Sequence, residues 1–93
     1  MTKAEARKII DSMGLPAPQA NAAYRTIRRA TTSESIDITT TGSGELLIRR
    51  SRPGRIGHQV FEDTIRPDGS KEVVQKAYDD AGNLIHHDPK GGT

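Results

Sequence analysis

Apolar residues recur at helical spacing in the first third of the chain and at a spacing of two in the rest. Ala6, Ile9, Ile10 and Met13 fall at i, i+3, i+4 and i+7 behind a capping-box pattern, Thr2 followed three residues later by Glu5. This predicts a short helix over residues 3–13, closed by Gly14 and broken by Pro16. Ala20, Ala23, Tyr24, Ile27 and Ala30 repeat the spacing and predict a second helix over 18–30. After Thr31-Thr32-Ser33 the period shortens. Ile36 and Ile38 alternate with Asp37 and Thr39, Thr41-Gly42-Ser43-Gly44 supplies a turn, and Glu45 to Arg50 returns as the second strand of a hairpin. A third strand is expected from Ile56 to Ile65, ending at Arg66-Pro67-Asp68-Gly69, and a fourth from Lys71 to Tyr78. Asp80-Ala81-Gly82-Asn83 then turns into a short fifth strand at Leu84 to His87. Asp88-Pro89 and Gly91-Gly92 are expected to end regular structure.

Helices segregated from strands define an α+β fold, with two N-terminal helices packed on one face of a four- to five-stranded antiparallel sheet and the other face free. Residues 1–93 read as a single small domain. With three aromatic residues in 93, the core rests on Ile, Leu, Val and Ala. A thin core leaves no room for a deep cavity or a large organic cofactor, so a shallow surface site is expected. The absence of cysteine excludes disulfides and thiolate-based zinc or redox chemistry. No apolar run approaches a membrane span, so neither a membrane partner nor a transmembrane segment is expected, and a monomer is.

Net charge is +2, but it is unevenly spread. Residues 1–32 carry Lys3, Arg7, Lys8, Arg25, Arg28 and Arg29 against Glu5 and Asp11, while Glu62, Asp63, Asp68, Asp79 and Asp80 lie later. Arg49, Arg50, Arg52 and Arg55 crowd a Pro53-Gly54 turn, and His58 follows three residues on. Such asymmetry points to a polyanionic partner. Guanidinium groups hold phosphate oxygens through forked, permanently charged donors. The stripe Arg25, Arg28 and Arg29 is either plain solvent face or a phosphate-tracking ridge beside the site, and a solvated loop would account equally for the arginine cluster.

Histidine is the side chain that ordinarily titrates near neutrality, and the chain has three. RNA cleavage by attack of its own 2′-hydroxyl needs a base, an acid and cations, and no metal. His58 with Arg52, Arg55, Lys71 or Lys76, plus the hydroxyls of Thr64 and Tyr78, meets that requirement. His58, Arg55, Thr64, Lys76 and Tyr78 are therefore the catalytic candidates, with His86 next in line. Arg25, Arg28, Arg29, Arg49, Arg50, Arg52 and Lys71 are the candidates for nucleic-acid contact. Alternation puts His58, Val60, Glu62 and Thr64 on one side of the third strand. His86-His87-Asp88 offers ligand types that point to opposite faces, no H-x-x-x-H spacing exists, and neither a metal nor any other cofactor is expected. No G-x-S-x-G elbow or Walker-type loop is present.

Gly57-His58-Gln59-Val60, Asp68-Gly69-Ser70-Lys71, Val73 to Asp79, Gly82-Asn83-Leu84-Ile85-His86 and Asp88-Pro89-Lys90 resemble the ends of C-terminal toxin domains in bacterial polymorphic and contact-dependent inhibition systems. Many of those are ribonucleases of the barnase/EndoU/RelE-like superfold, in which N-terminal helices precede an antiparallel sheet. The resemblance implies a metal-independent endoribonuclease acting on RNA, transfer RNA among its possible targets, together with a cognate immunity protein. It also implies secretion or cell-surface delivery as part of a larger toxin, and action in the target cell's cytoplasm. The superfold lends no shared catalytic motif, so the candidate residues rest on the spacing above. The alternative is a non-catalytic module, an immunity-type or regulatory partner that docks on nucleic acid or protein through its arginines. Few aromatic platforms are available for the base stacking that single-strand binders use, which favours the enzyme.

Overall fold

The computed structural model describes residues 1–54 and 57–92. Helix α1 (Lys3–Ser12) begins at the expected capping box: the Glu5 amide donates to Thr2 Oγ1 at 3.1 Å and the Thr2 amide to Glu5 Oε1 at 2.9 Å. Those bonds hold the Glu5 carboxyl below its ordinary range. Helix α2 (Ala17–Arg29) opens behind Pro16, with Pro18 in a first turn where a missing N–H leaves nothing unpaired. Five strands follow, β1 (Ser35–Thr40), β2 (Leu46–Pro53), β3 (His58–Ile65), β4 (Lys71–Tyr78) and β5 (Leu84–Gly92), paired antiparallel in chain order. Both helices lie on one face of this sheet, which makes the expected α+β fold. Among the described residues, no helix is long and apolar enough to cross a membrane.

Two expectations are corrected. The second strand does not stop at Arg50, because β2 runs to Pro53, so Arg52 lies in the strand with Arg49 and Arg50 and not in the turn. Nor does regular structure end at His87. Strand β5 continues with Asp88 opposite Gln75, Pro89 opposite Val74 and Gly91 opposite Val73. A proline is tolerated there because β5 is an edge strand, and a register shift between Val73 and Val74 absorbs the irregularity. Arg55 and Ile56, the expected head of the third strand, lie outside the described residues.

Ile36, Leu46, Ile48 and Ile65 turn toward the helices and pack against Ala6, Ile10, Ala22, Ala23, Ile27 and Ala30. The helices meet the sheet largely through alanines, so they lie close to it and the core is thin. Ile10, Ile27, Ile36, Leu46, Ile48 and Ile65 are fully buried, each contributing about 1.5–3 kcal/mol of transfer free energy.

Polar groups are buried in the same layer, and they tie it together. Gln19 Nε2 donates to the carbonyls of Gly44 (3.1 Å) and Ile65 (2.9 Å), pinning α2 to the β1–β2 turn and the end of β3. Asp63, 1% exposed, receives the Thr26 hydroxyl at 3.2 Å and the Lys71 ammonium at 3.3 Å on Oδ2. Its Oδ1 faces Arg50 Nη2 at 3.6 Å, and Arg50 Nη1 faces Glu34 Oε2 at 3.8 Å. Two carboxylates and two cations thus close a neutral set between α2 and strands β2, β3 and β4. Removing one member strands its partners without water. Asp63→Ala is expected to cost about 3–5 kcal/mol, a large part of the ~5–15 kcal/mol of a small domain, read as a fall in the urea midpoint. Asp63→Asn, which keeps an acceptor for Thr26 but loses the charge, is expected to fall between.

Candidate functional site

The sheet face away from the helices is where the candidate chemistry gathers. Pairing sets it out in rows: Pro53, His58 and Tyr78; then Ser51, Val60, Lys76 and His87; then Arg49, Glu62 and Val74; then Leu47, Thr64 and Glu72. The β3–β4 register runs unshifted from His58 opposite Tyr78 to Ile65 opposite Lys71, so alternation alone decides which side chains share the face. His58 and Tyr78 stack, ring centroids 4.9 Å apart and planes 14° from parallel. In the next rows Lys76 Nζ meets Glu62 Oε1 at 2.8 Å, and Glu62 Oε2 meets Arg49 Nε at 3.1 Å. The Glu62 carboxylate, hydrogen-bonded to Lys76, holds that ammonium above its ordinary range against the opposing effect of burial. Lys76 is therefore a fixed cation at neutral pH, not a base. The stability it gains from this pairing is fully present below the ordinary lysine pKa and is lost only as pH rises through the raised one.

Arg49 Nε is buried and makes no aligned hydrogen bond among the described residues. The guanidinium side chain is 41% exposed. A cation fixed at one nitrogen by charge alone, with its outer fork toward solvent, is suited to an incoming anion. Arg49, Lys76 and Glu62 together carry one net positive charge on the face that His58 shares, Lys76 one row from His58 and Arg49 and Glu62 two rows from it.

What positions His58 is the backbone at Gly57. Its φ is +77°, and a Cβ built there would lie 2.0 Å from the Tyr78 carbonyl oxygen and 2.6 Å from the Asp79 carbonyl carbon. The start of β3 can approach the end of β4 this closely only at glycine, and the approach sets ring against ring one residue later. The Gly54 amide donates to the Gly57 carbonyl at 3.0 Å, which closes the chain between β2 and β3.

The other candidates are placed differently. Arg50 belongs to the buried helix-side set and lies 5.1 Å over the Phe61 ring. Arg52 is on the same side, 5.3 Å over Phe61, with Nε and Nη2 donating to Gln59 Oε1 at 3.3 and 3.1 Å. Lys71 is 7% exposed, its ammonium turned inward to Asp63 and Thr26, so it offers no cation to a phosphate. Thr64 is on the open face but six positions along β3 from His58, about 20 Å at strand rise, and does not join the constellation. His86 pairs with Ala77 and so points to the helix side, 4.0 Å from Asp88 Oδ2. Arg25, Arg28 and Arg29 are exposed on α2, on the opposite side of the sheet from His58 and not beside it. Arg55 lies outside the described residues.

Two residues were missed. Glu62, which bridges both cations, follows His58 by four and shares its face by simple alternation, a signal available in the sequence. His87 lies opposite Lys76 on the open face, and only the β4–β5 register separates it from His86. Among the described residues no group of three or more His, Cys, Asp or Glu is placed to hold a metal ion.

Comparison of the chain with protein-family models, with characterised proteins and with solved structures finds no match.

Gly57→Ala is expected to separate His58 from Tyr78, because the clash is with backbone that no side-chain rotation relieves. The check is the loss of mutual ring-current shifts in proton NMR, while the Ile48 and Ile65 methyl signals of the core stay in place.

Proposed function

We propose that this chain is an endoribonuclease domain that cleaves RNA without a metal ion. The observation that carries the reading is that the stacked His58–Tyr78 pair and the Arg49–Glu62–Lys76 chain share the one sheet face the helices leave bare. In the reaction the 2′-oxygen attacks the adjacent phosphorus, losing its proton. The P–O5′ bond breaks and the O5′ atom takes up a proton, leaving a 2′,3′-cyclic phosphate and a 5′-hydroxyl. His58 transfers one of these protons and solvent water the other, and Tyr78 orients the imidazole by stacking. Arg49 and Lys76 stabilise the extra negative charge of the pentacoordinate phosphorus, and Glu62 holds both in place. The kind of toxin this implies, with transfer RNA as a target, an immunity partner and delivery into a neighbouring cell, rests on the resemblance of residues 57–90 alone.

The competing reading is a binding module that uses the same face without cleaving. It is favoured by one contact, since Glu62 already half-neutralises the cations that a catalytic phosphate would need. Incubation of the purified protein with total RNA in excess chelator separates the two. Cleavage with 2′,3′-cyclic ends is expected, and His58→Ala is expected to lower its rate by on the order of 10² to 10⁴ while leaving RNA affinity near that of the parent. Cleavage that survives His58→Ala removes this site. RNA bound and never cut leaves the binding module.

Electrostatics gives an independent check. Arg49→Gln is expected to reduce the slope of log affinity against log salt by about 0.7 to 1, the share of one phosphate contact, whereas Arg28→Gln on the far side is expected to leave it unchanged. Equal effects of both would mean that binding is not confined to the open face.

A further inference from the structure

A cleft of about 350 Å³ opens beside His58, where the start of β1 meets the end of β2. Ser33, Ser35, Ser51, Arg52, Pro53 and His58 line it. We propose that this cleft is a nucleoside subsite, taking the unpaired base and sugar next to the phosphate that Arg49 and Lys76 hold.

The lining suits a nucleobase in three respects. Pro53 and His58 sit directly opposite each other across β2 and β3, so a pyrrolidine ring and a planar imidazole line one wall. A planar base offers an apolar face to such a wall. Ser35 and Ser51 are also paired directly, and their hydroxyls have no hydrogen-bond partner among the described residues. A hydroxyl donates or accepts as its ligand requires, which is what the mixed edge of a base presents. Finally, no carboxylate lines the cleft, so an anionic ligand meets no like charge there.

Size and position complete the argument. The volume is at the low end of small-molecule sites, room for one nucleoside and not for a stacked pair. His58 is both a wall of the cleft and the ring stacked on Tyr78, so a nucleoside held there lies against the imidazole. A base inside a duplex cannot enter. The subsite therefore selects single-stranded RNA, such as loops, bulges and ends. This rests on the ribonuclease reading only for the fate of the bound RNA, since occupancy of the cleft does not require cleavage.

The test is an NMR titration of the whole chain with each of the four nucleoside 3′-monophosphates and, separately, with inorganic phosphate. At least one nucleotide is expected to give saturable shifts at Ser33, Ser35 and Ser51 as well as at His58, with phosphate alone shifting Arg49, Lys76 and His58 only. The double variant Ser35→Ala/Ser51→Ala is expected to weaken nucleotide binding by about two- to tenfold per hydroxyl engaged and to leave phosphate binding unchanged. Ser51→Thr, a strand-compatible change that narrows the cleft, is expected to weaken it as well. Nucleotides that reproduce the phosphate pattern, or that bind the two serine variants as tightly as the parent, overturn the subsite. Cleft binding with no RNA cleavage upholds the subsite and removes the ribonuclease reading. Cleavage whose base preference ignores both serine variants does the reverse.

Discussion

Asp63 sits where helix α2 meets the sheet, and its carboxylate is shared by the Thr26 hydroxyl on the helix, the Lys71 ammonium on β4 and the Arg50 guanidinium on β2. Four structural elements are referred to one buried group. A buried ionic set of this kind is a poor source of stability, because desolvation consumes most of the attraction. Its stronger effect is on register. Slipping β3 by one residue against its neighbours would carry Asp63 and Ile65 to the open face and bring Glu62 and Thr64 under α2, so the short carboxylate that Thr26, Lys71 and Arg50 meet would leave its place. The apolar sheet positions Ile36, Leu46, Ile48 and Ile65, packed on Ile10, Ile27 and the helix alanines, resist the same slip, so the charge set and the apolar layer together decide which side chains face outward.

That constraint explains why charged residues adjacent in sequence act so differently. Arg49 and Arg50 are neighbours on β2, as are Glu62 and Asp63 on β3, and each pair is divided between the two faces. On the closed face the ion pairs Arg50–Asp63–Lys71 are shielded by helix α2. On the open face Arg49–Glu62–Lys76 forms a chain of the same chemistry with solvent on one side. Nothing in side-chain type distinguishes the two chains. Burial does, and burial follows from which face the helices cover.

The fold was legible in the sequence because its signals are local. Thr2 with Glu5 announces the first helix, the change of apolar spacing after Thr32 announces the sheet, and glycines near each turn separate the strands. Local signals failed at β5, where Asp88-Pro89 reads as a terminator and an edge strand tolerates it. For the site, His58, Lys76 and Tyr78 were legible because β3 and β4 keep one register along their whole length, so counting by twos lands on the right face. The arginine cluster was not legible. Density in sequence suggested one phosphate-holding surface, whereas strand geometry sends Arg50 and Arg52 to the helix side, where Phe61, Gln59 and Asp63 occupy them. Lys71 was misread for a related reason, since a lysine at the start of a strand gives no sign that a buried aspartate lies within reach. The choice of His86 over His87 turned on a register shift between Ala77 and Tyr78 that composition does not encode.

A domain this small has few ways to hold a polar constellation rigid without a deep cavity, and the open face uses two of them. One is the glycine at position 57, where the absence of a Cβ lets the chain press against the end of β4 and fixes the stacked rings from below. The other is Glu62, which limits two long, flexible cations to a narrow set of positions; otherwise each would lose much of its rotamer freedom when it met an anion. Both devices reduce the reorganisation needed at the moment of binding. They also have opposite electrostatic consequences, because Glu62 lowers the field it helps to organise. A face meant only to attract a polyanion would gain from losing that carboxylate. A face that presents two cations in one fixed arrangement would lose that order with it, so Glu62 exchanges strength of attraction for definition of geometry, and the number of basic residues around it is a poorer guide to this surface than their arrangement.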